Sequence, residues 1–153
     1  KEKPDPKEMP FELSGGIIYH CGPIVSRTDD TCKLIAAGPT TSMRVEMYEA
    51  EVIKSYGIRG IIDKGGMGNK TLDALKEYGC VYLHTISGAA AYLADRVKRV
   101  VSVWKAEEFS EPEAMWLLEI EDFPVIVTMD AYGNSLHREI EKISLERLKG
   151  LLF

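Results

Sequence analysis

The amino-acid sequence predicts an α/β domain with mixed parallel and antiparallel strands. Three observations carry this. Between residues 45 and 94, helical and strand-like stretches alternate, the pattern of parallel strands joined by crossover helices. Two of those helices end alike, at Lys54-Ser55-Tyr56-Gly57 and Lys76-Glu77-Tyr78-Gly79, and each opens onto a strand. Residues 97–140 then change to strand-like runs separated by turn residues, which suits antiparallel pairing. With 153 residues, 45% hydrophobic and 28% charged content, the chain can build one globular domain with a real core.

Residues 1–10 (KEKPDPKEMP) are rich in proline and charge and read as an extended lead-in, leaving residues 11–153 as the domain. Gly15-Gly16 is a turn. Residues 17–21 (IIYHC) form a buried strand, stopped by Gly22-Pro23. Residues 26–32 (SRTDDTC) are polar and turn-like. Residues 33–37 (KLIAA) are a short strand that delivers the chain to Gly38-Pro39. A helix follows, with Val45, Tyr48, Val52 and Tyr56 on one stripe and Ile53 beside them. Glu46, Glu49, Glu51 and Lys54 lie off that stripe. Thr41 or Ser42 is the expected N-cap, Arg44 falls in the first turn, and Gly57 takes the left-handed C-cap position.

Residues 58–63 (IRGIID) are a strand that ends in Lys64-Gly65-Gly66-Met67-Gly68-Asn69. Helix signals resume at Thr71, with Leu72, Leu75 and Tyr78 on one face, and stop at Gly79. Residues 80–84 (CVYLH) are the next strand, which passes through Thr85-Ile86-Ser87-Gly88 into a small-residue helix at 89–94. Strands at residues 97–104, 115–121, 124–130 and 135–140 form an antiparallel meander, with Tyr132-Gly133-Asn134 as a turn. A short helix at 144–151 closes the chain. Trp104 and Trp116 are expected to pack the antiparallel part.

The formal net charge is −5 and no basic stripe stands out, so a nucleic-acid partner is not expected and any anion site must be local. The longest apolar runs, such as residues 124–129, are too short to span a bilayer. The charged, proline-containing start is no signal peptide. Cys21, Cys32 and Cys80 are odd in number and lack C-x-x-C spacing, as expected of reduced cytoplasmic thiols. Their spacing gives no support to an iron–sulfur cluster held by this chain. His20, His84 and His137 are scattered, without acidic or cysteine neighbours at ligand spacing, so no metal triad is expected.

In parallel sheets, ligands collect where loops leave the carboxyl ends of strands. Three loops qualify here: the one before Thr40, the one with Lys64, and the one with Ser87-Gly88. Residues 37–44 (AGPTTSMR) are the most informative. Free N–H groups at a helix start, three hydroxyls and the Arg44 guanidinium would converge there, which suits a carboxylate. An ordinary N-cap with Arg44 in solvent explains the same residues, and the residues alone leave both readings open. Lys64, between a strand and a glycine loop, can aim a point charge at an anion, or simply sit at the surface. The glycine loop fits neither a P-loop nor a dinucleotide fingerprint. Ser87 lacks the Gly-x-Ser-x-Gly elbow of a serine hydrolase. His84, beside the glycine loop, is the histidine best placed to contribute.

Four ordered segments make the combination recognisable: Gly38-Pro39-Thr40-Thr41-Ser42-Met43-Arg44, Asp63-Lys64-Gly65-Gly66-Met67, Tyr82-Leu83-His84-Thr85-Ile86-Ser87-Gly88-Ala89-Ala90, and Glu119-Ile120-Glu121-Asp122-Phe123-Pro124. Together they resemble the C-terminal domain, or separate β subunit, of class I fumarate hydratases and the related L-tartrate dehydratases. The resemblance runs from about residue 17 to residue 140. It implies a swivelling β/β/α domain in a cytoplasmic hydro-lyase that hydrates fumarate reversibly to (S)-malate. It also implies a [4Fe-4S] cluster carried by a partner α subunit and not ligated by this chain, a hetero-oligomer, and a site shared between the two parts. The β part alone would then be inactive. By this resemblance Thr40 matches a proposed general base, and Arg44 and Lys64 match residues that grip the carboxylates of a small dicarboxylate substrate. A further substrate-contacting arginine is implied upstream of the sequence in hand. Two alternatives accompany this expectation: the β subunit of an L-tartrate dehydratase, and a non-catalytic swivelling module that keeps a small-anion site.

Overall fold

The computed structural model describes residues 6–28 and 31–152. In chain order its elements are β1 (Ile17–Tyr19), β2 (Ile24–Arg27), β3 (Cys32–Ala36), α1 (Glu46–Tyr56), β4 (Gly60–Asp63), α2 (Asn69–Tyr78) and β5 (Val81–Thr85). These are followed by α3 (Ala90–Ala94), β6 (Val97–Trp104), α4 (Ala106–Phe109), β7 (Met115–Ile120), β8 (Val125–Met129) and α5 (Leu136–Leu152). Pro6–Glu8, within the expected lead-in, is a single 3-10 turn, and residues 1–5 of that lead-in lie outside the described residues.

The main sheet has the order β1-β4-β5-β8, with β1, β4 and β5 parallel and β8 antiparallel to β5. The mixed α/β character expected from the sequence is therefore observed. Register aligns Ile18, Ile61, Tyr82 and Met129 across the four strands. Side chains alternate faces along a strand, so this row lies on one face. There it meets Ile53 of α1 and Leu72, Ala74 and Leu75 of α2, and together they form the principal core. Both helices end as the sequence predicts. Gly57 and Gly79 adopt left-handed conformations, and their N–H groups close onto the carbonyls of Ile53 and Leu75. A second, smaller cluster of Leu34, Ala37 and Ala94 lies beneath the β2–β3 and β6–β7 ribbons. Tyr19 joins the two parts, reaching the Ala37 carbonyl with its hydroxyl and Phe123 with its ring edge.

Five elements differ from the sequence reading. Residues 24–27 are a strand antiparallel to β3, so Ser26, Arg27 and Cys32 of the polar stretch at 26–32 are paired strand residues, while residues 29 and 30 lie outside the described residues. The expected meander is divided: β6 and β7 form their own ribbon, while β8 returns to cover the open edge of β5. An unpaired strand edge leaves backbone donors and acceptors unsatisfied, and β8 supplies their partners. Of residues 135–140, Ser135 bridges Met129 and the rest are helical, because Leu136, Ile140 and Ile143 continue a 3–4-residue period into one seventeen-residue helix. Strand β1 is a sheet edge and is not fully buried; Ile17 is 58% exposed.

The fifth difference concerns α1. Its inward face is centred on Ile53 and Glu49, whereas Tyr48 is 61% exposed. Glu49 turns inward because it has a charged partner there, described below. Glu46 serves as a cap in trans. Its carboxylate accepts from the Gly68 N–H at 2.8 Å, the Thr71 N–H at 3.3 Å and the Thr71 hydroxyl at 2.6 Å, covering the start of α2. Glu46→Ala is expected to cost about 1–2 kcal/mol, measured by urea unfolding, since it strips a cap shared between two helices.

Candidate active site

The parallel arrangement of β1, β4 and β5 puts their carboxyl ends together at one end of the sheet. The face that carries Ile18, Ile61 and Tyr82 turns polar two residues later, at His20, Asp63 and His84. The loops that carry Lys64 and Ser87 begin there, and the Thr40 loop is bonded there.

The Thr40 loop is fixed to the end of β1. Cys21 and Pro39 form an antiparallel bridge, and the His20 carbonyl accepts from the Thr40 N–H at 2.9 Å and, more weakly, the Thr40 hydroxyl at 3.3 Å. Thr41 bridges to Lys64 in parallel fashion, which sets the first loop beside the second. Ser42 reinforces this join, as its hydroxyl donates to the Lys64 carbonyl at 2.6 Å and also meets the Tyr82 hydroxyl. With its hydroxyl used in this way, Ser42 does not cap a helix. Residues Ser42–Arg44 form a 3-10 turn, Thr41 makes no side-chain cap bond, and α1 starts only at Glu46. Arg44 therefore belongs to the turn that precedes α1 and not to the helix's first turn.

In the second loop, the Lys64 N–H donates to Asp63 Oδ1 at 2.8 Å. Gly65 and Gly66 take φ values of 83° and 77°, which lets the Gly66 N–H reach the Tyr82 hydroxyl at 3.2 Å and the Gly65 N–H approach His84 Nδ1 at 3.4 Å. The third loop touches the first: the Ala37 N–H donates to the Ala90 carbonyl, and a Cβ on Gly38 would lie 3.1 Å from the Ala90 methyl. Ser87 and Gly88 remain at the surface.

Thr40 and Arg44 are exposed and Lys64 is half-buried. The fold thus joins the segments that carry Thr40 and Lys64 directly, through backbone and the Ser42 hydroxyl. Arg44 lines an open groove with Glu46, Gly68, Asn69 and Lys70 at the start of α2.

One cluster behind the loops was not legible from residue spacing. The ring of His20 lies between two buried carboxylates, with Nδ1 2.8 Å from Asp63 Oδ2 and Nε2 3.2 Å from Glu49 Oε2. His20 is therefore not isolated from acidic neighbours, as its position in the sequence suggested. Burial pushes the His20 pKa down, but hydrogen bonds to Asp63 and Glu49 and their negative charge outweigh it, raising the value to about 9. The i,i+4 spacing of Val45, Glu49 and Ile53 is the one sequence signal that could have placed Glu49 inward. His84 and His137 lie side by side, with ring centroids 5.7 Å apart, and His137 Nε2 meets Thr128 Oγ1 at 2.9 Å. Burial and the neighbouring His84 lower the pKa of His137.

The described residues do not form a cradle for a metal cluster. Cys80 is buried before β5, Cys21 follows β1 and Cys32 opens β3. Among the described residues no three His, Cys, Asp or Glu side chains converge so as to hold a metal ion. Also among them, no helix is long and apolar enough to cross a membrane.

Fold and loops together define an α/β domain that joins the Thr40 and Lys64 segments near the carboxyl end of its parallel strands, with Arg44 on the turn before α1. The model of the family described as "Fumarase C-terminus" matches residues 2–140, and the chain belongs to that family. It is 53% identical over 142 residues to a protein of Geobacillus stearothermophilus provisionally named as a class I fumarate hydratase, covering 92% of this chain but 27% of that protein. A Methanocaldococcus jannaschii protein, provisionally named as the β subunit of an L(+)-tartrate dehydratase, is 44% identical over 147 residues, 95% of this chain and 75% of its own length. The β subunit of the L(+)-tartrate dehydratase of Escherichia coli is 35% identical over 143 residues, 92% of this chain and 70% of its own.

Proposed function

We propose that this chain is the β part of a hydro-lyase that interconverts fumarate and (S)-malate, supplying substrate-binding groups to a site shared with an α subunit. The carrying observation is the join between the loops of Thr40 and Lys64, made by the Thr41–Lys64 bridge and the bond from Ser42 to the Lys64 carbonyl. Membership in the Fumarase C-terminus family and the names of the relatives support the reaction class.

The chemistry follows from the residues. A hydrogen on carbon next to a carboxylate is acidic only if the charge that develops on that carboxylate is neutralised. Arg44 can do this with two parallel hydrogen bonds and Lys64 as a point charge. Thr40 is the proposed acceptor of the proton. Its neutral hydroxyl is too weak a base, so it would act as the alkoxide, having first lost to solvent the proton that it donates to the His20 carbonyl at 3.3 Å, a loss that the nearby cations would favour. We place the [4Fe-4S] cluster implied by the resemblance on the α subunit. A partner is also supported by exposed apolar surface. Ile126 and Val127 of β8 are 66% and 53% exposed, and α5 leaves Ile140, Ile143 and Leu148 uncovered.

The test is to combine the chain with a cluster-bearing α subunit of the same family, rebuild the cluster anaerobically and assay fumarate, (S)-malate and the tartrate isomers. The expected result is turnover of fumarate and (S)-malate by the complex and none by the chain alone. Turnover of L-tartrate only would replace this reading with the tartrate dehydratase one. Anion binding without turnover of any of them would favour a non-catalytic module.

A further inference from the structure

We propose that His20 is a positioning residue for this site: clamped between Glu49 and Asp63, it ties the strand ends that carry Thr40 and Lys64 into one rigid unit. The proposal rests on the hydro-lyase reading for its functional half, and on geometry for the rest.

Each end of the clamp leads to one of the site segments. The His20 carbonyl holds the Thr40 N–H at 2.9 Å and its hydroxyl at 3.3 Å. The His20 ring, through Nδ1, holds Asp63 Oδ2 at 2.8 Å, and the other oxygen of Asp63 accepts the Lys64 N–H at 2.8 Å. Through Nε2 the ring meets Glu49 of α1, the helix that starts two residues after Arg44. A single imidazole thereby links β1, β4 and α1 just behind the loops. Asp63 is 0% and Glu49 2% exposed, so neither carboxylate can turn to water if the ring is lost. A buried carboxylate stripped of its partner is costly, so the three groups hold one another in place. Among the described residues Glu49 Oε1 has no hydrogen-bond partner of its own, which leaves the His20 ring as the anchor of that side chain. Tyr19 and Cys21 flank His20 on its own strand. Burial raises the pKa of both, Cys21 to about 12, so they stay neutral and the ring faces only the two carboxylates.

A clamp of this kind has a signature that mere packing lacks. The imidazolium binds both carboxylates, while the neutral ring keeps one N–H and can donate to only one of them. With the ring's pKa at about 9 against 6.5 when exposed, the clamp is closed below pH 6.5 and loosens as the pH rises through about 9. The Thr40 and Lys64 amides, which both donate into the network, should sense that opening.

The experiment is a pH titration of the isotope-labelled full chain by NMR, together with steady-state kinetics of the reconstituted α/β complex. The expected result is that the His20 ring and the Thr40 and Lys64 amides shift with one midpoint near pH 9, and that the amide transition vanishes in His20→Gln. In the complex, His20→Gln is expected to lower kcat about tenfold or more, with a smaller change in KM for fumarate and loss of the wild-type decline in rate above pH 9. If the variant does not fold, the wild-type titration alone decides. A ring that titrates near pH 6.5, or amides that ignore the ring, overturn the clamp. Coupled amides in a complex without hydro-lyase activity overturn the positioning role together with the function on which it rests. Turnover with uncoupled amides overturns the clamp alone.

Discussion

Lys64→Met and Arg44→Ala are each expected to lower kcat/KM for fumarate about a hundredfold or more in the reconstituted complex. In the proposed reaction both changes would remove a cation from an anion whose charge increases, so the loss should fall on the transition state more than on substrate binding. The two should differ in kind. Arg44 is exposed and in a turn, so its removal leaves the fold intact and the thermal midpoint nearly unchanged. Lys64 is half-buried, yet the bonds that hold its segment are made by its own N–H and C=O, to Asp63 and Ser42. Methionine keeps both and fills a similar volume, so Lys64→Met isolates the charge. Arg44→Lys should recover only part of the loss, because an ammonium cannot grip a carboxylate with two parallel bonds. Unchanged turnover in both variants would remove these residues from the site.

Gly66→Val is expected to be the most destabilising of the loop substitutions considered, by about 3 kcal/mol in denaturant unfolding. Two costs add. The residue sits at φ 77°, where a β-branched side chain is strained, and a Cβ there would lie 2.5 Å from the His137 ring. His137 is held by Thr128, so the ring cannot simply swing away. Gly65→Ala supplies the comparison. Its φ of 83° is equally unfavourable, but a Cβ there meets nothing within 4 Å, so only the backbone term of about 1–2 kcal/mol should appear. Equal effects at the two positions would refute the role assigned to the His137 contact.

The parts of this protein legible in its sequence are those set by neighbours along the chain. The C-caps at Gly57 and Gly79, the alternation of helices and strands up to Ala94, and the loops at the carboxyl ends of the parallel strands all depend on interactions within a few residues. The spacing of Thr40, Arg44 and Lys64 is a property of the sequence itself, and the family resemblance reads it directly. The misreadings have the same origin. Residues 135–140 alternate well enough for a strand over six residues, and only the continuity of residues 136–140 with the rest of α5 makes them helical. Ser42 has the chemistry of an N-cap, but the Lys64 carbonyl and the Tyr82 hydroxyl, brought in from elsewhere in the chain, claim its side chain first.

What only the tertiary structure decided is which distant groups share the interior. Whether β8 pairs with β7 or β5 depends on which sheet edge is left open, a property of the assembled sheet. His20 and Asp63 are 43 residues apart, and nothing local marks them as partners. They meet because parallel pairing of β1 with β4 brings the two strand ends side by side, and because burial there makes an unpaired charge too costly to leave. The sequence by itself determined the local elements and the order in which Thr40, Arg44 and Lys64 occur. The packed fold determined how those residues are held.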